Sequence, residues 1–137
     1  MKKLIFASFL LLMASSLKAQ TTVEKQLLGI ALLEAADGFS FFHEKYGKLK
    51  DNYYQDYSVY MYAGNRYRIH GACDNDCRDL DLTIYDGYGN TIGNDGTYGD
   101  LPYTWVNVYS SGYFTVRVSM ENCNREPCRY GFAVFRN

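Results

Sequence analysis

Proline is scarce, with 2 in 137 residues, and the chain has one tryptophan and two histidines. Neither sign of charge dominates: 14 Lys and Arg stand against 15 Asp and Glu, for a formal net charge of −1. Without a basic excess there is no electrostatic footprint for nucleic acid. His43 and His70 are the only side chains that ordinarily titrate near neutrality, and each stands alone in the sequence. No G-x-S-x-G, H-E-x-x-H or glycine-rich phosphate loop occurs. These absences leave little for nucleophilic or acid–base chemistry, and the expectation is a protein that is not an enzyme. The longest apolar run, Leu4–Met13, falls well short of the ~20 residues that a membrane-spanning helix needs.

Aromatics are what the chain has in plenty, 17% of it, with 14 Tyr and 8 Phe. That content excludes disorder over most of the length, and the length itself suits one domain.

The amino terminus has the layout of a secretory signal. Met1-Lys2-Lys3 is basic, Leu4–Met13 is apolar, and Leu17 and Ala19 occupy the −3 and −1 positions of a cleavage site. Residues 1–19 are therefore expected to be a signal peptide, with no lipid-anchoring cysteine after the apolar run. Loss of Lys2, Lys3 and Lys18 would leave 11 basic and 15 acidic residues, a net charge of −4. The product is expected to be exported, to the periplasm or beyond, without a membrane span.

Four cysteines fit an oxidising compartment, as Cys73 and Cys77 in one close pair and Cys123 and Cys128 in another. Pairing within each couple would pin two short polar loops. A crossed pairing stays open if both loops lie at one end of the domain. Zinc is the weaker reading, because C-x2-C is its usual spacing.

Residues 22–36 read as a helix, capped by Thr21 or Thr22, with Glu24 in its first turn and Asp37-Gly38 ending it. From Leu27 to Ala36 it is apolar nearly all round, so it must be buried against its own domain, a partner or a second copy. Residues 38–50 carry three Phe without a clean period and are expected to be a connector, making 20–50 a helix-and-connector segment.

From residue 51 onward the period is two, the signature of strands. Tyr57, Val59 and Met61 face one way; so do Tyr67, Ile69 and Gly71, then Leu80, Leu82 and Ile84. Val106 and Val108, then Phe114, Val116, Val118 and Met120, and finally Tyr130, Phe132 and Val134 continue the set. Asp86–Asn90 and Gly93–Leu101 are turn-like, with residues that tolerate positive φ. Six or seven short strands, each with one apolar face, predict an all-β antiparallel sandwich over 51–137 with one amino-terminal helix.

Tyr67-Arg68-Ile69, Cys73, Cys77, the run Asp79-Leu80-Asp81-Leu82-Thr83-Ile84-Tyr85-Asp86 and then Gly89-Asn90 form one ordered set. With Ser111-Gly112-Tyr113-Phe114-Thr115-Val116-Arg117-Val118, this set resembles the bacterial pre-peptidase C-terminal domain, over roughly Tyr57 to Phe135. The resemblance implies a jelly-roll-like β-sandwich, an appendage of secreted peptidases that aids secretion or substrate contact and binds calcium in some members. A short helix stands here in place of a peptidase.

Two sets of side chains are candidate sites. Asp74, Asp76, Asp79, Asp81, Asp86, Asn90 and Asp95 supply oxygen ligands of the kind calcium takes, without the glycine and closing glutamate of an EF-hand. The same residues also suit turn-forming hydrogen bonds. Tyr60, Tyr62, Tyr85, Trp105, Tyr109 and Tyr113 lie opposite the apolar faces, where aromatics can stack on sugars or anchor a protein. The function expected is a secreted, non-catalytic binding domain with a cell-surface, polysaccharide or protein ligand. The alternative is a subunit or inhibitor-like partner of another secreted protein, docking through the helix.

Overall fold

A computed structural model describes residues 21–137, so the expected signal peptide lies outside the described residues. Helix α1 (Thr22–Ala36) begins in a reciprocal cap: Glu24 N–H donates to Thr21 Oγ1 and Thr21 N–H donates to Glu24 Oε2. It ends at Asp37, where Gly38 at φ +84° turns the chain out, as the sequence predicts.

Eight strands follow: β1 (Ser40–Leu49), β2 (Tyr53–Met61), β3 (Asn65–Cys73), β4 (Cys77–Tyr85), β5 (Thr91–Asp95), β6 (Tyr103–Val108), β7 (Gly112–Cys123) and β8 (Cys128–Arg136). They form two antiparallel four-stranded sheets, ordered β1-β8-β3-β6 and β2-β7-β4-β5. Early and late strands alternate in both sheets, the interleaving of a jelly roll.

Two expectations need correction. The connector over 38–50 is strand β1, hydrogen-bonded along β8 from Ser40↔Arg136 to Leu49↔Cys128. Its register shifts between Phe41 and His43, a bulge that breaks the period-two pattern by which a strand is recognised. Phe42 thereby packs on Tyr67 in the core, while Phe41 meets Phe135 on the outer side. The turn-like stretch from Gly93 likewise opens with the end of β5, a five-residue edge strand too polar and short to announce itself.

The inner faces are those the alternation predicts. Tyr67, Ile69, Leu80, Leu82, Ile84, Val116, Val118, Met120, Phe132 and Val134 are all buried between the sheets. Two hydrogen bonds of tyrosine hydroxyls tie the sheets together: the Tyr57 hydroxyl of β2 bonds that of Tyr130 in β8, and Tyr62 N–H donates to the hydroxyl of buried Tyr67. Both cysteine pairs lie at one end, with Cys77 opposite Cys123 in the β4–β7 ladder. The bonds nevertheless form within each pair, Cys73–Cys77 and Cys123–Cys128.

Strand β8 is buried on both faces. Its outer residues Ala133 and Phe135 lie with Ala72 beneath Val23 and Leu27 of α1. Glu34 is also on this buried side of the helix, 6% exposed. Its carboxylate accepts from Arg68 Nη1 at 2.9 Å and pairs with His70 Nε2 at 2.7 Å. Burial lowers the His70 pKa despite the Glu34 carboxylate, so at neutral pH the ring is neutral and donates Nε2–H. The Arg68 guanidinium, 3.9 Å from the Phe39 ring centroid, also reaches Asp37.

Removing Glu34 would leave the His70 Nε2–H donor without a partner and Arg68 with Asp37 alone. Glu34→Ala is expected to cost about 2 to 3 kcal/mol in urea unfolding, with Glu34→Gln recovering part of it. An unchanged midpoint for Glu34→Ala would show that apolar packing alone holds the helix.

Candidate binding cleft

Strands β5 and β6 are the neighbouring edges of the two sheets, and Gly93 lets them meet. A Cβ there would stand 3.0 Å from both Thr104 Oγ1 and Val106 Cγ1. Beyond this contact the edges part, and a cleft of about 890 Å³ opens between Ile92, the free edge of β6 from Trp105 to Val108, and the β4–β5 and β6–β7 turns. Asp86, Tyr88, Trp105, Asn107, Tyr109, Ser110, Ser111 and Tyr113 line it.

Each wall is held by local chemistry. In the β4–β5 turn, Asp86 Oδ1 accepts from the N–H groups of Tyr88 and Asn90, both at 2.9 Å, and Oδ2 accepts from Asn90 Nδ2. Gly89 supplies the positive φ, +84°. The Asn90 backbone donor, followed by the other turn contacts, holds the Asp86 carboxyl below its ordinary range. The turn thus presents Tyr88, 93% exposed, on a fixed frame. Arg66 lies 4.9 Å from the Trp105 ring centroid, and its Nε donates to Asn107 Oδ1 at 3.1 Å. Tyr109, 86% exposed, projects from the β6–β7 turn. Tyr113 meets Tyr60 edge to face at 5.1 Å, and Tyr60 meets Tyr62 in the same way.

The aromatic candidates therefore divide. Trp105, Tyr109 and Tyr113 line the cleft, while Tyr60 and Tyr62 buttress Tyr113 from the side. Tyr85 faces a separate shallow hollow on the outside of β4 and β7, where its hydroxyl accepts from Arg117 Nη1. Arg117 is itself clamped by both oxygens of Asp56 and stacked 3.9 Å from the Tyr54 ring centroid. Sequence reasoning missed Tyr88, Ile92, Asn107 and the Arg66 support. A tyrosine set between the two glycines of Asp86–Asn90 was the one available signal.

The carboxylate candidates fall in three places. Asp74 accepts from Asp76 N–H and Arg129 N–H, joining the two disulfide loops, and Asp76 lies beside it. Asp86 and Asn90 close the β4–β5 turn at the cleft. Asp79, Asp81 and Asp95 form the third group, where Asp79 accepts from Gly99 N–H and Asp95 from Thr97 and Tyr103. Among the described residues, no three His, Cys, Asp or Glu side chains make a metal-holding group.

Asp81 keeps one buried oxygen without a partner. Burial, and then the charges of Asp79, Glu121 and Asp95, push its pKa up to about 6 from the ordinary 3.8. A raised carboxyl favours the folded state most when protonated. The stability it contributes is therefore greatest below pH 3.8 and is lost as pH rises through about 6. Asp81→Asn is expected to raise stability at neutral pH by on the order of 1 kcal/mol after solvent screening. The gain should shrink toward zero near pH 4. Equal melting shifts at both pH values would contradict this account.

No family model and no curated protein matches the chain. Among solved structures, it is similar to PliG of Aeromonas hydrophila, a periplasmic lysozyme inhibitor of g-type lysozyme. The TM-score is 0.53 at 14% identity, over 69% of this chain and 85% of that one. At that identity the likeness speaks for the sandwich fold.

Proposed function

We propose that this is an exported, non-catalytic protein that binds another protein through the β5–β6 cleft. The observation that carries the reading is the convergence of Tyr88, Trp105, Tyr109 and Tyr113 on one open cleft, on frames fixed by turn and side-chain contacts. Tyrosine and tryptophan give large contact area at small rotamer cost, and protein interfaces concentrate their energy in such residues. Arg66 lies over one face of the Trp105 ring, which leaves a stacked sugar only the other. The lining holds no His, Cys or acid–base pair; its one carboxylate, Asp86, is taken up by the turn. Two closed disulfides and the basic-then-apolar amino terminus support export.

The fold neighbour makes a lysozyme the first partner class to assay, with inhibition as the readout. Binding to a g-type lysozyme should be titrated for the parent protein and for Tyr109→Ala and Trp105→Ala. Each substitution is expected to weaken binding by at least about tenfold while leaving the melt unchanged, because both side chains are solvent-exposed. Affinity indifferent to both substitutions would remove the cleft from the interface. Retention on an insoluble polysaccharide that depends on Trp105 would favour a sugar ligand instead.

A further inference from the structure

Docking of α1 on β8 turns its other side to solvent, and that side is apolar. At about 100° per residue, Lys25, Leu28, Gly29, Leu32, Leu33 and Ala36 form one stripe opposite Val23, Leu27 and Glu34. Leu28, Leu32 and Leu33 are 51%, 68% and 71% exposed. Phe41 of β1, also exposed, extends the patch to on the order of 400 Å², as large as the largest patches of ordinary monomers.

We propose that this stripe pairs with the same stripe of a second copy, in antiparallel two-fold contact. A two-fold interface must be its own complement. With the axis between Ile30 and Ala31, Leu32 of one copy faces Gly29 of the other, and Leu28, on the same flank as Leu32, packs beside it. Gly29 has open space above it, so a leucine can seat there and the two helices can approach closely.

The charges obey the same symmetry. Lys25, the one charged residue of the stripe, lies opposite Ala36 and the carboxyl-terminal turn of the other helix. That turn has no basic residue of its own, and Asp37 beyond it is already paired with Arg68, so what faces the lysine is the end of the helix itself. A lysine there meets the negative end of the helix dipole. A lipid surface is the poorer occupant: interfacial helices carry several Lys and Arg beside their apolar face, whereas α1 as a whole has Lys25 against Glu24 and Glu34. The helix packs on β8, β3 and β1, whereas the cleft is built from β5, β6 and their turns. The pairing is thus independent of the cleft and would present two clefts per dimer.

The test is the sedimentation mass of the exported, purified protein over the micromolar range, with vesicle flotation alongside. A dimer is expected for the parent, and a monomer of unchanged circular dichroism for Leu32→Glu with Leu33→Glu. Lys25→Glu should weaken the dimer by at least about tenfold. Adding Ala36→Lys to Lys25→Glu should restore it, a rescue peculiar to antiparallel contact. A monomeric parent, a dimer that survives Leu32→Glu with Leu33→Glu, or a monomeric parent that floats with vesicles would each overturn the proposal. Partner binding by the monomeric variant tests the cleft separately, so the two readings can fail apart.

Discussion

Strand β8 is apolar on both faces, and the rest of the structure is arranged to cover it. Tyr130, Phe132 and Val134 need the opposite sheet, while Ala133 and Phe135 need a second cover. A sandwich supplies only the first. Helix α1 supplies the second, and the salt bridge of Glu34 to Arg68, with its hydrogen bond from His70, fixes how the helix is rolled. Burying a carboxylate is tolerable only with partners, so the helix cannot rotate to hide its leucines without stranding Glu34. The exposed stripe of Leu28, Leu32 and Leu33 is the consequence of where that one acid is held.

The cleft has a different origin. A jelly roll leaves two sheet edges side by side, and here Gly93 brings β5 against β6 over a short distance only. Where β5 gives way to the β4–β5 turn, the inner edge of β6 is left open and the turns on either side become its walls. Asp86 and Asn90 make one wall rigid, and the Tyr60, Tyr62 and Tyr113 cluster stiffens the other. Rigid aromatic walls lose little entropy on binding, which suits a binding site that has no chemistry to perform.

Much of the fold was legible in the sequence because alternation is a local property. The inner faces of β2, β3, β4, β6, β7 and β8 follow from period two, and the bounds of α1 follow from Thr21, Glu24, Asp37 and Gly38. Strand β1 was hidden by the bulge at Phe41–His43, which shifts the pattern midway. Strand β5 was hidden by its length and by Gly93, Asn94 and Asp95, residues that read as a loop. The site was less legible than the fold. Trp105, Tyr109 and Tyr113 were singled out as outward aromatics, but Tyr60, Tyr62 and Tyr85 satisfied the same criterion and stand outside the cleft.

The sequence by itself determined which side of each regular strand is apolar, where the helix starts and stops, and that the cysteines come in two close pairs. Each of these depends on residues only a few positions apart. Only the tertiary structure decided that four aromatics from separate segments share one cleft, that the acidic residues divide among three places, and that the leucines of α1 face solvent. Those outcomes depend on where sheet edges end and on what lies across from Glu34, and such distances arise only once the two sheets and the helix have packed.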